Sequence, residues 1–481
     1  MSLLVAMWFS SGVVMMYVGF PELTRAERIT ALPVLEKGKL QVGPDKLFRH
    51  LPATQTIEEL RLTSILGRPT WLLRTNDDNY HGLFADNGGI MKKITPDDAI
   101  VSASIYAYLT DISTVNLSHK AILHVDQWSI SSSLNPYRPL HLIELNDLKG
   151  TELYVSSVTG QVVRDTSTFE RGWNWLGANL HWIYPVQLRQ HSAIWHWVVV
   201  VLSLSGLVSI LTGAIVGVLR IRIRNRYRGK DMSPYKKAMK LHHILGLFIL
   251  IPLTTYLFSG LMSMNPLGVF NDNISFTSRL SDYHNTPSAV NILNNKGFLS
   301  SINHNLVIPP DARELIWHWR NGLPYLYAVS GDGRRQVLVP TEQRSIEVSS
   351  VENLQKIMTS HRIKLIETLT DYDHYYYSHH QRWRPLPVMR VRFDDPAATW
   401  FHIDLTTGEL INQLTQKGRA KRWLFNGLHS LDFNFLISNR PAWDLLIIAL
   451  ISTGFLFSCT AIIVAWRRLR SMILAPKQGT E

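Results

Sequence analysis

The sequence contains almost no cysteine and none of the short motifs that mark common enzyme sites. Cys459 is its single cysteine, so it has no disulfide framework, no thiol redox pair and no thiolate zinc site. No G-x-G-x-x-G follows an expected strand and no P-loop is present, so nicotinamide, flavin and nucleotide binding by those motifs lack support. H-E-x-x-H and G-x-S-x-G are also absent, and protease and esterase interpretations therefore have no motif.

Charge is missing from long apolar runs. Residues 1–21 carry none, and residues 190–219 contain no Lys, Arg, Asp or Glu. A signal peptide would need a basic start and a small-residue cleavage site, which the first run lacks. About 20 apolar residues cross a bilayer. The sequence therefore predicts four transmembrane helices, over 1–21, 191–219, 241–270 and 441–466.

The rest of the composition predicts large water-facing domains between these helices. The 481 residues are 46% hydrophobic and their mean hydropathy is 0.00, which favours few membrane spans. Two polar domains are predicted, over 22–190 and 271–440. The net charge is +12. Much of it lies beside apolar segments, in the predicted loop 220–240 and the tail 467–481, so nucleic acid is not needed to explain it.

Basic residues also predict the orientation, because short Lys- and Arg-rich loops stay in the cytoplasm. The loop 220–240, the tail and both termini are therefore expected inside, and both polar domains outside.

One sequence offset relates the two halves of the chain. Trp175 to His181 reads W-L-G-A-N-L-H and recurs 248 positions later, as W-L-F-N-G-L-H, from Trp423 to His429. The same offset matches further apolar, turn and basic residues over most of the chain, which predicts an internal tandem repeat. The matches are Ser11-Gly12 with Ser259-Gly260, Asp147 with Asp395, Thr159-Gly160 with Thr407-Gly408, Trp195 with Trp443, Gly206 with Gly454, Thr212 with Thr460 and Arg220 with Arg468.

Each polar domain has the pattern of an α+β fold. A strand–turn–strand is expected around Gly67-Arg68-Pro69, and a helix over Pro96 to Leu109 with proline at its start. Near each domain's end, a second hairpin turns at Thr159-Gly160 or at Thr407-Gly408.

A small α+β module that ends in a T-G-[EQ]-[LV] hairpin resembles the PepSY domain. With four spans, the chain resembles the PepSY-associated membrane family, also called iron-regulated membrane proteins. The most specific segments are Ser233-Pro234-Tyr235, His242 to Leu247, Ser259 to Pro266 and Leu428 to Phe433. Some relatives are b-haem reductases of ferric siderophores. The resemblance implies periplasmic PepSY-like domains, the inner membrane of a Gram-negative bacterium and one or two b-type haems.

His181 and His429 are the first candidate haem ligands. They occupy matching positions beside two spans, and two histidines related by a pseudo-twofold axis would face one iron from opposite sides. The alternative is a pair of interfacial histidines bonded to backbone or water.

Three further histidines are candidates at the spans. In the family that the chain resembles, a ligand-like histidine lies eighteen residues before the glycine of an S-G pair. Here that pair is Ser259-Gly260, and His242 lies eighteen residues before Gly260. His243 is the weaker neighbour, suited to a propionate or a lipid headgroup, and His196 is a reserve on the second span. Each could instead simply anchor a helix at the interface.

The first span has Gly12 in the place of Gly260. A residue eighteen positions before Gly12, which would match His242, would fall before Met1. We expect that the true chain begins upstream with a basic segment and a histidine; the alternative is that this ligand has been lost.

The run Asp371 to His380 is rich in Asp, Tyr and His. It could bind a metal or an aromatic iron chelate, but a structural strand and loop is the preferred interpretation, because histidine spacing in a loop is weak evidence for a metal.

Two functions remain open. The first is a b-type cytochrome that takes electrons from quinol or a cytoplasmic reductase and passes them to a periplasmic acceptor such as a ferric siderophore or another ferric chelate. Such a protein would be a membrane-bound ferric-chelate reductase. The second is a haem-free membrane protein whose PepSY domains bind peptides or regulate a peptidase.

The predicted orientation is testable with reporter fusions. A reporter that is active only in the periplasm should be silent when fused after Lys230 and active after Gly331, because Lys and Arg hold the first loop inside. The reverse pattern would rule out this orientation.

Overall fold

The computed structural model describes residues 1–113, 116–222, 231–272, 275–303, 305–338, 343–378 and 383–473. These residues form two compact units, each built from separate stretches of chain. The helical unit comprises Met1–Phe20, Gly172–Asn271 and Lys417–Glu481, and the sheet unit comprises Pro21–Arg171 and Asp272–Gln416.

The described helices and strands follow in chain order. The helices are α1 Ser2–Tyr17, α2 Arg25–Thr30, α3 Asp45–His50, α4 Pro96–Leu109, α5 Thr168–Leu176, α6 Ala178–His181, α7 Val186–Arg189, α8 Ser192–Leu219, α9 Lys237–Ser263, α10 Phe276–His284, α11 Ala289–Asn294, α12 Lys296–Asn303, α13 Gln343–Ile357, α14 Gln416–Lys421, α15 Asn434–Ile437 and α16 Arg440–Ile473, with a π-helix at Arg422–Gly427. The strands are β1 Ile57–Ile65, β2 Arg68–Thr75, β3 Tyr80–Phe84, β4 Ser118–Leu123, β5 Leu140–Glu144, β6 Glu152–Ser156, β7 Val162–Thr166, β8 Ala312–Arg320, β9 Leu323–Ser330, β10 Arg335–Val337, β11 Ile363–Leu369, β12 Val388–Phe393, β13 Trp400–Asp404 and β14 Leu410–Leu414.

The helical unit contains the apolar segments. Within the described residues, three helices (α8, α9 and α16) are long and apolar enough to cross a membrane. The predicted first span forms α1, which is apolar but only 16 residues long. Helix α1 packs against α16, α16 against α9, and α9 against α8. Their shared core consists of Val5, Phe9, Ile249, Leu253, Trp443, Ile447 and Ile451.

The sheet unit contains three sheets within the described residues. One has six strands in the order β10-β9-β8-β1-β2-β3, and the others have the orders β4-β5-β6-β7 and β11-β12-β13-β14. The predicted helix over 96–109 forms as α4, where Pro96 is the first residue and Thr95 and Asp98 build a capping box around it. The predicted turns also form, with Gly67, Gly160 and Gly408 in the left-handed region at φ of 73°, 69° and 68°. The mixed α+β fold is thereby confirmed.

The six-stranded sheet joins strands from both halves of the chain. Strand β1 pairs antiparallel with β8, and Arg61 lies opposite Ile316. Glu314, fully buried beside this junction, receives two hydrogen bonds of 2.7 Å from Arg28 and one of 3.2 Å from Arg61. Burial alone would raise the pKa of Glu314, but the two guanidinium groups outweigh it and lower the pKa to about 2.

We predict that Glu314→Gln destabilises the protein and removes part of its acid sensitivity. Loss of the carboxylate leaves Arg28 without its charge partner and Arg61 paired with Glu59 alone, and breaking a buried pair in this way costs about 3–5 kcal/mol. Because the folded pKa is lowered, the wild-type carboxylate stabilises the fold above its ordinary value of 4.5, and this is lost as pH falls towards about 2.

Unfolding of the full chain by guanidinium chloride in detergent, at pH 7 and at pH 3, measures both the loss of stability and the change in acid sensitivity. Glu352→Gln, at an exposed position of α13, is the matched control and should resemble wild type. Wild-type stability of the Glu314 variant at pH 7 would contradict the role given to this carboxylate.

Candidate functional site

His181 and His429 come together in the helical unit. His181 ends α6, and His429 lies two residues after the π-helix Arg422–Gly427. Their ring centres are 6.1 Å apart and their planes are inclined by 71°. Two imidazoles that bind one metal from opposite sides place their ring centres about 6 Å apart, since each metal–nitrogen bond is about 2.0 Å. The pair therefore has the spacing of two axial ligands.

The ring of His181 is held by groups on α1. Its Nδ1 lies 3.1 Å from Oγ of Ser11 and 3.2 Å from the carbonyl oxygen of Trp8. A carbonyl can only accept, and the Ser11 hydroxyl already donates to the carbonyl of Met7 at 2.7 Å. Nδ1 must therefore carry the proton, and Nε2 keeps its lone pair, as a metal ligand requires.

The ring of His429 is held in the same way by α9. Its Nδ1 lies 3.1 Å from Oγ of Ser259 and 3.3 Å from the carbonyl oxygen of Tyr256. The Ser259 hydroxyl donates to that same carbonyl at 3.0 Å. The second ring is therefore also protonated at Nδ1, and its Nε2 is available.

These contacts obey the offset of 248 found in the sequence. Ser11 matches Ser259, and Trp8 matches Tyr256. The indole N–H of Trp195 donates to the carbonyl of Trp182 at 2.9 Å, and that of Trp443 donates to Ser430 at 2.8 Å. Equivalent residues of the two halves thus make equivalent bonds around the histidine pair.

Each histidine follows an interruption of its helix. Gly177 separates α5 from α6, and a Cβ there would lie 2.9 Å from a side-chain methyl of Val14 on α1. A larger residue would push α6 away from α1 and His181 away from Ser11. In the second half the interruption is the π-helix, which packs against α9. Single π-turns inside helices are often found at functional sites.

His242 lies near the start of α9 and repeats the pattern with one hydroxyl. Its Nδ1 is 3.0 Å from Oγ1 of Thr460, whose hydroxyl donates to the carbonyl of Phe457 at 2.6 Å. The imidazole stacks on the Phe457 ring at 4.5 Å and 14°. His242 also lines a cavity of about 510 Å³ between α8, α9 and α16, whose wall includes Gly206, Thr212 and Tyr235.

His243 and His196 are placed differently. His243 is buried, its Nδ1 lies 2.8 Å from Oγ of Ser233, and its Nε2 lies 2.8 Å from the carbonyl oxygen of Gly217. Both nitrogens are engaged, so His243 ties α9 to the end of α8. His196 lies half-buried on α8 with its ring edge-on to Trp197 at 5.5 Å.

The polar run after β11 is a loop folded onto its own sheet. Asp373 Oδ1 accepts hydrogen bonds from the backbone of Tyr375 and Tyr376, and its Oδ2 accepts one of 2.7 Å from Arg390. The Tyr376 hydroxyl donates to the carbonyl of Pro385. These contacts agree with a structural loop; His379 and His380 lie outside the described residues.

Comparison with models of known protein families and with characterised proteins gives no match to the chain. Among the described residues, no three or more His, Cys, Asp or Glu side chains are grouped so that they could hold a metal ion. His181 and His429 offer two nitrogen ligands, so a metal held between them would need a group that supplies the remaining ligands itself.

The sequence predicts the histidines as candidate ligands, but it does not reveal that serine and threonine hydroxyls orient their rings. Ser11, Ser259 and Thr460 were recognised only as matches between the halves. The signal was present, because a hydroxyl conserved between the halves inside an apolar helix often bonds a neighbouring group.

We predict that Gly454→Ala destabilises the helical unit. A Cβ at Gly454 on α16 would overlap the ring of Phe9 on α1, whereas a Cβ at Gly213 on α8 would meet no atom within 4 Å. Overpacking of this kind costs about 1–3 kcal/mol. Thermal unfolding in detergent should show a lower midpoint for Gly454→Ala and an unchanged one for Gly213→Ala. Equal midpoints for the two variants would refute the close packing of α1 on α16.

Proposed function

We propose that this chain is a b-type haem protein of the inner membrane that carries electrons to a periplasmic acceptor. The observation that supports it most is the pair His181 and His429, with ring centres 6.1 Å apart and both rings bonded through Nδ1. Haem fits this pair because the porphyrin supplies four ligands to iron, so that the protein needs to supply only two.

The membrane part of the proposal rests on the apolar helices. Within the described residues α8, α9 and α16 are long enough to span, and α1 packs against α16 as the fourth helix of the set. We infer that all four cross the inner membrane of a Gram-negative bacterium, with both termini and the basic loop in the cytoplasm. The two four-stranded sheets then belong to periplasmic PepSY-like domains of a tandem repeat.

The residues around the proposed haem have separate tasks. Haem iron, when bound, supplies reversible one-electron transfer between its ferric and ferrous forms. Ser11 and Ser259 hold the imidazoles in the tautomer that presents Nε2. Gly12 and Gly260 leave room beside the rings, since a Cβ at either would lie 3.6–3.7 Å from the nearest imidazole Cε1.

His242 is the candidate ligand for a second haem in the cavity of about 510 Å³. Its Nδ1 is held by Thr460, which leaves Nε2 available. His243 also lines this cavity, but its two nitrogens are engaged by Ser233 and Gly217, so neither would be available to hold haem iron. His243 thus remains a neighbour of this site rather than a ligand, and we give His196 no role in it.

Two such groups would connect the two sides of the membrane. The electron donor would be quinol or a cytoplasmic reductase, and the acceptor a ferric chelate in the periplasm. The chain would then act as a membrane-bound ferric-chelate reductase, in agreement with its resemblance to iron-regulated membrane proteins.

We predict that purified, detergent-solubilised protein shows the reduced absorption bands of b-type haem. His181→Ala and His429→Ala should each remove the same haem, and the double variant should lose no more than either single one, because ligands of one iron act as a unit. Ser11→Ala should keep the haem but weaken its binding by about 10–100-fold, as loss of an orienting group does at metal sites.

His191→Ala is the matched control, because His191 is exposed at the start of α8 and its partner at the repeat offset is Asn439. This variant should keep the full haem content. A colourless wild-type preparation, correctly folded by circular dichroism, would overturn the haem proposal and leave the haem-free, peptide-binding PepSY protein. Independent losses from the two histidine variants would assign them to different irons.

A further inference from the structure

The sheet unit has an open cavity beside the edge strand β3. It measures about 300 Å³, at the lower end of the range for small-molecule sites, about 300–1,000 Å³. Its lining combines an apolar base with cationic and aromatic groups: Leu47, His50, Tyr80, His81, Gly82, Ile90, Met91, Lys92, Lys93, Ser157 and Val158.

The backbone fixes the shape of this cavity. The N–H of Met91 donates to the carbonyl of Gly82 at 2.8 Å, and the N–H of Ile94 donates to the carbonyl of Ser157 at 3.0 Å. A Cβ at Gly82 would lie 2.6 Å from Cε of Met91, so the glycine lets the methionine lie flat over the strand. The segment that carries Lys92 and Lys93 is therefore tied down on both sides.

The charge around the cavity is positive. No Asp or Glu is among its lining residues. Within the described part of the chain, neither Lys92 nor Lys93 makes an ion pair or a side-chain hydrogen bond, although other lysines do so with Glu36, Glu144 and Asp231. Two unpaired ammonium groups beside an apolar base attract an anion whose body is apolar.

The aromatic wall is held rigid by a second tyrosine. The Tyr80 hydroxyl donates to the hydroxyl of Tyr137 at 3.0 Å, and the two rings stack at 5.3 Å and 25°. His50 on the opposite element bonds through Nδ1 to the carbonyl of Lys46 at 2.6 Å, which leaves its Nε2 available. A flat ring entering the cavity would meet preformed surfaces, and little side-chain entropy would be lost on binding.

We propose that this cavity binds an anionic aromatic ligand, of the class of ferric catecholate chelates. The catechol ring would pack on Met91 and Tyr80, and the negative charge of the chelate would face Lys92 and Lys93. The choice of an iron chelate rests on the proposed haem function, whereas the charge and shape of the ligand rest on the cavity alone.

Binding can be measured apart from electron transfer. Full-length oxidised protein in detergent, without reductant, is dialysed against the ferric complex of 2,3-dihydroxybenzoate, which is anionic, and against neutral ferric acetohydroxamate. The anionic complex should bind, and the neutral one should bind at least about tenfold more weakly, as expected when charge pairing is lost. Added salt should weaken binding of the anionic complex.

The variant Lys92→Glu/Lys93→Glu reverses the charge at the cavity. It should bind the anionic complex at least about tenfold more weakly, with unchanged haem bands and circular dichroism. Lys149→Glu/Lys356→Glu is the matched control, at exposed lysines of the sheet unit that do not line the cavity, and it should bind like wild type.

Equal binding by both charge variants, or no binding of the anionic complex to wild-type protein with intact haem bands, would overturn the ligand site and leave the haem proposal in place. Binding that depends on Lys92 and Lys93 in a preparation without haem would have the opposite meaning: the ligand site would stand and the haem function would fall.

Discussion

The site depends on one hydrogen bond made twice, from a histidine Nδ1–H to a serine hydroxyl on an apolar helix. Ser11 and Ser259 are fully buried, and each already donates its own hydrogen to a backbone carbonyl of its helix. The serine oxygen can then only accept, and this fixes the imidazole tautomer and the direction of Nε2. The two rings fixed in this way have centres 6.1 Å apart.

The sheet unit also buries a polar group, but there other side chains of the protein satisfy its hydrogen bonds. Glu314 is fully buried, and it is satisfied by Arg28, Arg61 and Thr63 where the strands of the two halves pair. Such a network is costly to break because each partner would be left charged in a low-dielectric environment. The carboxylate is therefore matched by opposite charge where β1 pairs with β8, and the two guanidinium groups lower its pKa.

The elements with strong local signals could be predicted from sequence. The helix after Thr95 begins at its capping box, and both late hairpins turn at T-G, because these choices depend on a few neighbouring residues. The meeting of His181 and His429 could be inferred only from the repeat. The serine contacts could not, since 170 positions separate Ser11 from His181 and a serine in an apolar run gives no sign of its partner. The pairing of β1 with β8 and the cavity beside β3 were missed for the same reason.

Fixing both Nδ1–H groups leaves two Nε2 acceptors on half-buried rings in a largely apolar unit, and burial of an acceptor without a partner costs about 1–3 kcal/mol. A stable helix interface would be cheaper with apolar residues at both positions. The chain instead places the same acceptor in both halves and holds each by an equivalent pair of bonds. Such a cost is retained where a ligand offsets it, and one metal centre between the two nitrogens would satisfy both at once.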